Sequence, residues 1–184
     1  MRKLSTFLRA AAMTLFASAV IVTALMLGAH SFAQSNQAVS PGLYQLNFEV
    51  YSGGVYTPVS SLPVLSRELI LRAYVEDSAG VPAQNGTAAF EYCSYKSLPP
   101  GDIERADEAP KEACDAGIAR WRRLGSRDVN AGSCPHLGVG NACFNFGIVR
   151  IPRDVGFRFK FSGKRSGIDS GVSEAANFTW TPAE

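Results

Sequence analysis

The chain has 184 residues, 18 of them basic and 16 acidic, with 46% hydrophobic residues, four cysteines and two histidines. That length suits one ordinary domain rather than several. The hydrophobic content excludes the apolar-poor, highly charged composition of a disordered chain, and the near balance of charge excludes a polybasic or polyacidic one.

Residues 1–9 carry Arg2, Lys3 and Arg9 and no acidic residue, and residues 10–29 are almost wholly apolar. Small residues then stand at Ser31 and Ala33. A positive start, an apolar stretch and small residues at positions −3 and −1 make a secretory signal, predicting a signal peptide over 1–33 cleaved between Ala33 and Gln34. The rival is an uncleaved anchor, since about 20 apolar residues also span a bilayer. The polar run Gln34-Ser35-Asn36-Gln37 favours cleavage. No lipoprotein is expected, because the first cysteine is Cys93.

Cleavage removes 33 of 184 residues and leaves 151, a single domain over 34–184. Three of the 18 basic residues leave with the signal, so the mature part carries 15 basic against 16 acidic residues, a formal charge of −1. A near-neutral exported domain is not expected to bind nucleic acid. No later apolar run approaches spanning length, so the mature domain is not expected to cross a membrane, and its destination is the periplasm or the cell exterior.

All four cysteines, Cys93, Cys114, Cys134 and Cys143, lie in the mature part. An even set in an oxidising compartment pairs as disulfides. Four cysteines allow three connectivities. Cys93–Cys114 with Cys134–Cys143 is favoured because each pair brackets a polar, turn-rich segment. The spacings lack the close CxxC pairs of a zinc site.

In chain order, Tyr44, Leu46, Phe48 and Val50 alternate with polar residues, the period of a half-buried strand. A loop or short edge segment follows, marked by Gly53-Gly54, Pro58 and Pro63. Alternation returns over 68–76 and again over 87–93, with Ala88, Phe90 and Tyr92 on one face, after turns at Asp77–Gly80 and Asn85-Gly86. It disappears over 94–117, where a charged run extends from Asp102 to Glu112 and a short helix over 103–108 has no apolar spacing to support it. Long loops inside compact domains are often functional, which makes this segment a candidate binding loop. A short strand over 118–124 surrounds Trp121, and 125–140 is a second loop, rich in Gly, Ser and Asn. Strands are expected over 142–151, over 155–162 with Phe157, Phe159 and Phe161 on one face, and over 172–181 with Phe178 and Trp180 facing the core. Seven strands divided by turn signals predict an all-β sandwich.

Residues 68–82 (Glu68-Leu69-Ile70-Leu71-Arg72-Ala73-Tyr74-Val75-Glu76-Asp77-Ser78-Ala79-Gly80-Val81-Pro82), followed by Gly86, Ala88 and Phe90, resemble the bacterial immunoglobulin-like domains of the invasin and intimin type. So do Gly156-Phe157-Arg158-Phe159, Ser166-Gly167-Ile168 and Phe178-Thr179-Trp180 near the end of the chain. The resemblance covers about half of the mature chain. It implies a bacterial source and an immunoglobulin-like form for the sandwich of about seven strands, to which the cysteines add disulfide-stapled loops. The cysteine-bracketed segment 94–117 departs from the pattern.

Chemistry is sparse. His136 is the one histidine left after cleavage, it sits in a loop, and no Gly-x-Ser-x-Gly turn accompanies it. It reads as an exposed loop residue, with a hydrolase centred on it as the sharper alternative. The acidic residues Asp102, Glu104, Asp107, Glu108, Glu112 and Asp115 lack EF-hand spacing and read as a solvated charged loop rather than a calcium cage. No metal and no cofactor are expected. The candidate binding residues are Arg120, Trp121, Arg122, Arg123 and Arg127, a basic-aromatic cluster able to meet an anionic glycan, a phosphate-bearing lipid or an acidic protein patch. The plainer reading puts Trp121 in the core and the arginines in water. The expected function is that of an exported, non-catalytic module recognising a protein or glycan through sandwich-end loops. The alternative is a structural or assembly accessory of the bacterial cell envelope, and the third possibility is a small secreted hydrolase.

Overall fold

The computed structural model describes residues 41–96, 107–130, 132–163 and 166–183. The expected signal peptide and most of the expected helix over 103–108 lie outside the described residues. The chain runs β1 (Gly42–Ser52), β2 (Val55–Pro58), β3 (Ser61–Pro63), β4 (Leu69–Asp77), β5 (Thr87–Tyr95), the one-turn helix α1 (Lys111–Asp115), β6 (Ala119–Asp128), β7 (Asn141–Gly147), β8 (Arg153–Ser162), β9 (Gly171–Val172) and β10 (Ala176–Thr181).

The strands form two sheets, ordered β2-β1-β4-β7 and β3-β10-β8-β5-β6, with β9 alongside β8. In immunoglobulin lettering, β1, β4 and β7 stand at A, B and E, while β5, β6, β8 and β10 stand at C, C′, F and G. Neighbours within each sheet are antiparallel except β3, which runs parallel to β10. This is an immunoglobulin-like sandwich with C′ added to the GFC sheet.

The alternation seen in the sequence is what closes the sandwich. Leu69, Leu71, Ala73 and Val75 from β4 and Val155, Phe157, Phe159 and Phe161 from β8 are buried in one core. Aromatic rings fill its middle: Phe48 lies 5.9 Å from Phe157 and 5.1 Å from Phe178, and Phe146 lies 4.9 Å from Phe157 and 5.5 Å from Trp180. Such contacts add to the area that each ring removes from water. Trp180 and Phe178 are core residues, as their alternation predicts.

Among the described residues ten strands stand where seven were expected. The additional three are short. β2 and β3 are edge strands within the segment read as loop or edge, and β9 is split from β10 at Ser173, which bonds Phe159 twice, through its own N–H (3.0 Å) and by accepting the Phe159 N–H at Oγ (3.0 Å).

The two disulfides are Cys93–Cys114 and Cys134–Cys143, the pairing favoured from spacing. Neither joins B to F as the antibody bridge does. Each instead staples an insertion to its adjoining strand, and two cystines fit an oxidising environment. Among the described residues, no helix is long and apolar enough to cross a membrane.

Candidate functional site

The five candidate residues from the sequence lie on β6, the edge strand of the larger sheet, and they do not form one site. Trp121 is opposite Cys93, and Arg123 is opposite Glu91. Trp121 is half-buried in a small cluster with Cys93, Ala109 and Ala119, on the outer face of the sheet and apart from the main core. Expectation and structure differ here, because alternation says which residues share a face but not which face is inward. The Arg158 guanidinium covers the Trp121 ring at 4.3 Å and donates to Glu91 Oε2 at 2.8 Å, while Lys160 Nζ meets Glu91 Oε1 at 2.8 Å. Arg122 turns inward to within 3.7 Å of buried Asp107. Arg123 donates to Ser126 Oγ, and Arg120 is exposed. The aromatic and most of the charge on this face are therefore already partnered by the protein itself.

The described end of the charged segment explains the covering. Beyond Tyr92 and Phe157, β5 and β8 part, and residues 107–109 wedge between them. Tyr95 N–H donates to the Asp107 carbonyl, Ala109 N–H to that of Cys93, and Gly156 N–H to that of Ala109. A side chain at Gly156 has no room, since a Cβ there would stand 2.5 Å from the Lys111 nitrogen. Asp107 and Glu108 are buried rather than solvated. Asp107 accepts from Ser94 Oγ at 2.6 Å, and Glu108 faces Arg153 at 3.1 Å. The five-residue helix α1 follows, where the sequence carried no helical apolar spacing. It is tied to β10 by Asn177, which accepts the Lys111 N–H at 2.7 Å and donates to both Glu112 oxygens at 3.0 and 2.8 Å. Those bonds, led by the one from Asn177 and followed by one from its own backbone and the nearby Lys111 charge, hold the Glu112 carboxyl below its usual range. This half of the candidate binding loop is built into the sheet.

The opposite outer face, over β2-β1-β4-β7, carries an open groove of about 650 Å³. Its chemistry begins with a hairpin. Gly53 and Gly54 both have positive φ, 58° and 86°. A two-residue turn of that kind sets its flanking strands in direct register, so Tyr51 pairs with Tyr56. Their rings lie 4.7 Å apart at 44°. Ile70, Asn145 and the cystine at Cys143 lie beyond them, with Arg67, Glu68 and, from the facing sheet, Arg127 also lining the groove. This volume falls within the range of small-molecule sites, about 300–1,000 Å³.

Electrostatics divide the polar residues in and beside the groove into spent and available groups. Glu49 and Arg72 form a closed pair, 2.8 Å apart, with Arg72 also donating to Asn141. Glu68 accepts from Asn145 Nδ2 at 2.6 Å. Among the described residues, the Arg67 guanidinium and the Tyr51 and Tyr56 hydroxyls have no bonded partner. Arg127 spends one N–H on the Ser126 carbonyl and lies 5.1 Å over the Phe144 ring. Burial, then the neighbouring Tyr51 and Glu49, push the Tyr56 hydroxyl above its ordinary range against the opposing Arg72 charge. It therefore stays protonated at neutral pH, a hydrogen-bond donor.

The second loop begins after β6 at Val129 rather than at Gly125, since residues 125–128 pair with β5, and it contributes a wall. Val129 is fully buried and Cys134 is bridged to Cys143, which places Pro135 at the groove. Exposed His136, at φ 66°, stacks 6.3 Å from the Tyr51 ring at 12°. Among the described residues, no group of three or more His, Cys, Asp or Glu could hold a metal ion. Apart from Arg127, Pro135 in the second loop and the disulfide-forming Cys143, the groove residues were not among the candidates read from the sequence. Tyr-Ser-Gly-Gly-Val-Tyr was the available signal, because a Gly-Gly turn aligns residues five apart.

No protein-family model, curated protein or solved structure matches the chain.

Proposed function

We propose that the chain is an exported, non-catalytic binding module, and that its recognition surface is the tyrosine-lined groove over the four-stranded sheet. One observation carries the reading: two phenols without partners among the described residues and two arginines converge on a concave surface of about 650 Å³ while the adjoining acids are spent on internal partners. Concave, aromatic surfaces with a few placed polar groups are the usual form of a ligand site. The predicted signal peptide over 1–33 and the two cystines support export, to the periplasm or the cell exterior. The wall formed by Pro135 and the Cys134–Cys143 cystine keeps a sandwich-end loop within the recognition surface.

The test uses the full chain, secreted with its disulfides formed and screened against glycans, surface proteins and envelope extract. A partner whose capture falls at least about tenfold in Tyr51→Ala/Tyr56→Ala and holds in Trp121→Ala supports the groove, since losing packed aromatic contacts costs on that order. A partner captured equally by wild type and the tyrosine pair overturns it.

A further inference from the structure

We infer that the groove takes an acidic saccharide, a sugar ring bearing a carboxylate or sulfate. The inference rests on the groove being a binding surface and goes on to name its ligand. Sugars have an apolar C–H face and a hydroxyl rim, so they pack on aromatic ring faces with polar groups at the margin. Tyr51 and Tyr56 supply both, their rings 4.7 Å apart and tilted by 44°, and their hydroxyls without partners among the described residues. His136 stacks on Tyr51 without lining the groove, and so backs the ring.

The anionic group is read from the charges. Arg67 and Arg127 line the groove against a single carboxylate, Glu68, which already accepts from Asn145. The adjoining Glu49 is closed by Arg72. Arginine has five N–H donors, and Arg127 uses one of them on Ser126 while its guanidinium rests on Phe144. The remaining donors are available to an oxyanion, and charge-assisted bonds of this kind are the strong ones.

An extended acidic peptide fits less well. Peptides that join sheets gain affinity from main-chain pairing along an edge. The groove instead lies on the face of a sheet, where β1 and β4 are hydrogen-bonded to neighbours on both sides. A ligand lying over those two strands meets side chains rather than unpaired main chain.

The experiment is a titration of the isotope-labelled, secreted, oxidised chain, followed by backbone amide shifts. The probes are an oligoglucuronate, a sulfated disaccharide, a neutral cello-oligosaccharide and a hexaglutamate peptide. Either acidic sugar is expected to move the amides of Tyr51, Tyr56, Ile70 and Asn145, and comparison of the two separates carboxylate from sulfate. Arg67→Gln should weaken that binding by about tenfold or more, as expected for the loss of a charge-assisted bond, and Arg123→Gln on the opposite face should not. Equal binding of the neutral sugar overturns the inference. So do equal losses in Arg67→Gln and Arg123→Gln, shifts caused by the peptide alone, or no shift with either acidic sugar. If a partner found by screening still depends on Tyr51 in those cases, the groove remains the binding surface and only the ligand class is wrong. If that partner ignores Tyr51→Ala, the groove itself is wrong.

Discussion

The two outer faces of the sandwich are made of the same ingredients, aromatic rings beside arginines, yet they present them to solvent in opposite states. Over β8-β5-β6, the Trp121 ring is occupied by Arg158, and Arg158 and Lys160 share Glu91. The wedge at 107–109 covers one end of that face with buried, paired acids. Over β2-β1-β4-β7, the hydroxyls of the tyrosine pair and the Arg67 guanidinium are unspent among the described residues. Basic and aromatic residues in a sequence are therefore only an inventory. Whether they recognise a ligand or one another depends on which acids the fold places opposite them. Four experiments probe that contrast.

The largest effect is expected where the closed face is latched. Asp107 is 1% exposed and joins Ser94 to Arg122. Removing one member of a buried charged pair costs about 3–5 kcal/mol, because its partner stays desolvated. Asp107→Ala should lower denaturant stability by that order, while Tyr51→Ala, at an exposed position (41%), should cost about 1 kcal/mol or less. Equal losses would show that the two faces are not built differently.

The disulfides sharpen the contrast by separating stability from recognition. Chain-entropy arguments give about 3 kcal/mol for the Cys93–Cys114 loop and about 2.6 kcal/mol for the shorter Cys134–Cys143 loop. Replacing either pair by serine should shift the unfolding midpoint by similar amounts. Only the second pair lines the groove. Cys134→Ser/Cys143→Ser should therefore weaken groove-dependent capture, and Cys93→Ser/Cys114→Ser should leave it intact in the folded fraction. The reverse pattern would move the recognition surface to the wedge.

The sequence made the framework visible where burial imposes a period of two. β1, β4, β5, β8 and β10 each alternate, and each has one face in the core. β2 and β3 stayed hidden because strands of three or four residues flanked by Gly and Pro carry too few positions to show a period. α1 stayed hidden because a single turn with no buried residue has no apolar stripe. Trp121 was misplaced for a different reason. The pairing of Trp121 with Cys93 and the covering by residues 107–109 depend on contacts remote in sequence. The groove was half legible. Tyr51 and Tyr56 could be paired through their Gly-Gly turn, but Arg67 and Arg127 reach them only through tertiary structure.

Opening the closed face is the third experiment. Glu91→Gln removes the acid that Arg158 and Lys160 share, at a cost of about 1 kcal/mol, since Gln retains one hydrogen bond. The variant should elute later than wild type from an immobilised sulfated polysaccharide at low salt, and the difference should vanish as screening grows. Unchanged retention would mean that Glu91 is not what silences this face.

The smallest effect is expected in acid, at the tie between α1 and β10. The Glu112 carboxyl is held below the ordinary glutamate value of 4.5, chiefly by the bonds from Asn177. A depressed folded-state value means that the carboxylate's contribution is fully present above 4.5 and is lost as the pH falls through the lower, folded value. Glu112 is fully exposed, so the global midpoint should barely move. The local signal should be clear: the Asn177 side-chain amide resonances should titrate together with the Glu112 carboxyl, below 4.5. Asn177→Ala should return that carboxyl towards its ordinary value. Should Glu112 titrate at or above 4.5, its bonds to Asn177 do not hold in solution, and the covering of the closed face then rests on the wedge and the Cys93–Cys114 bridge alone.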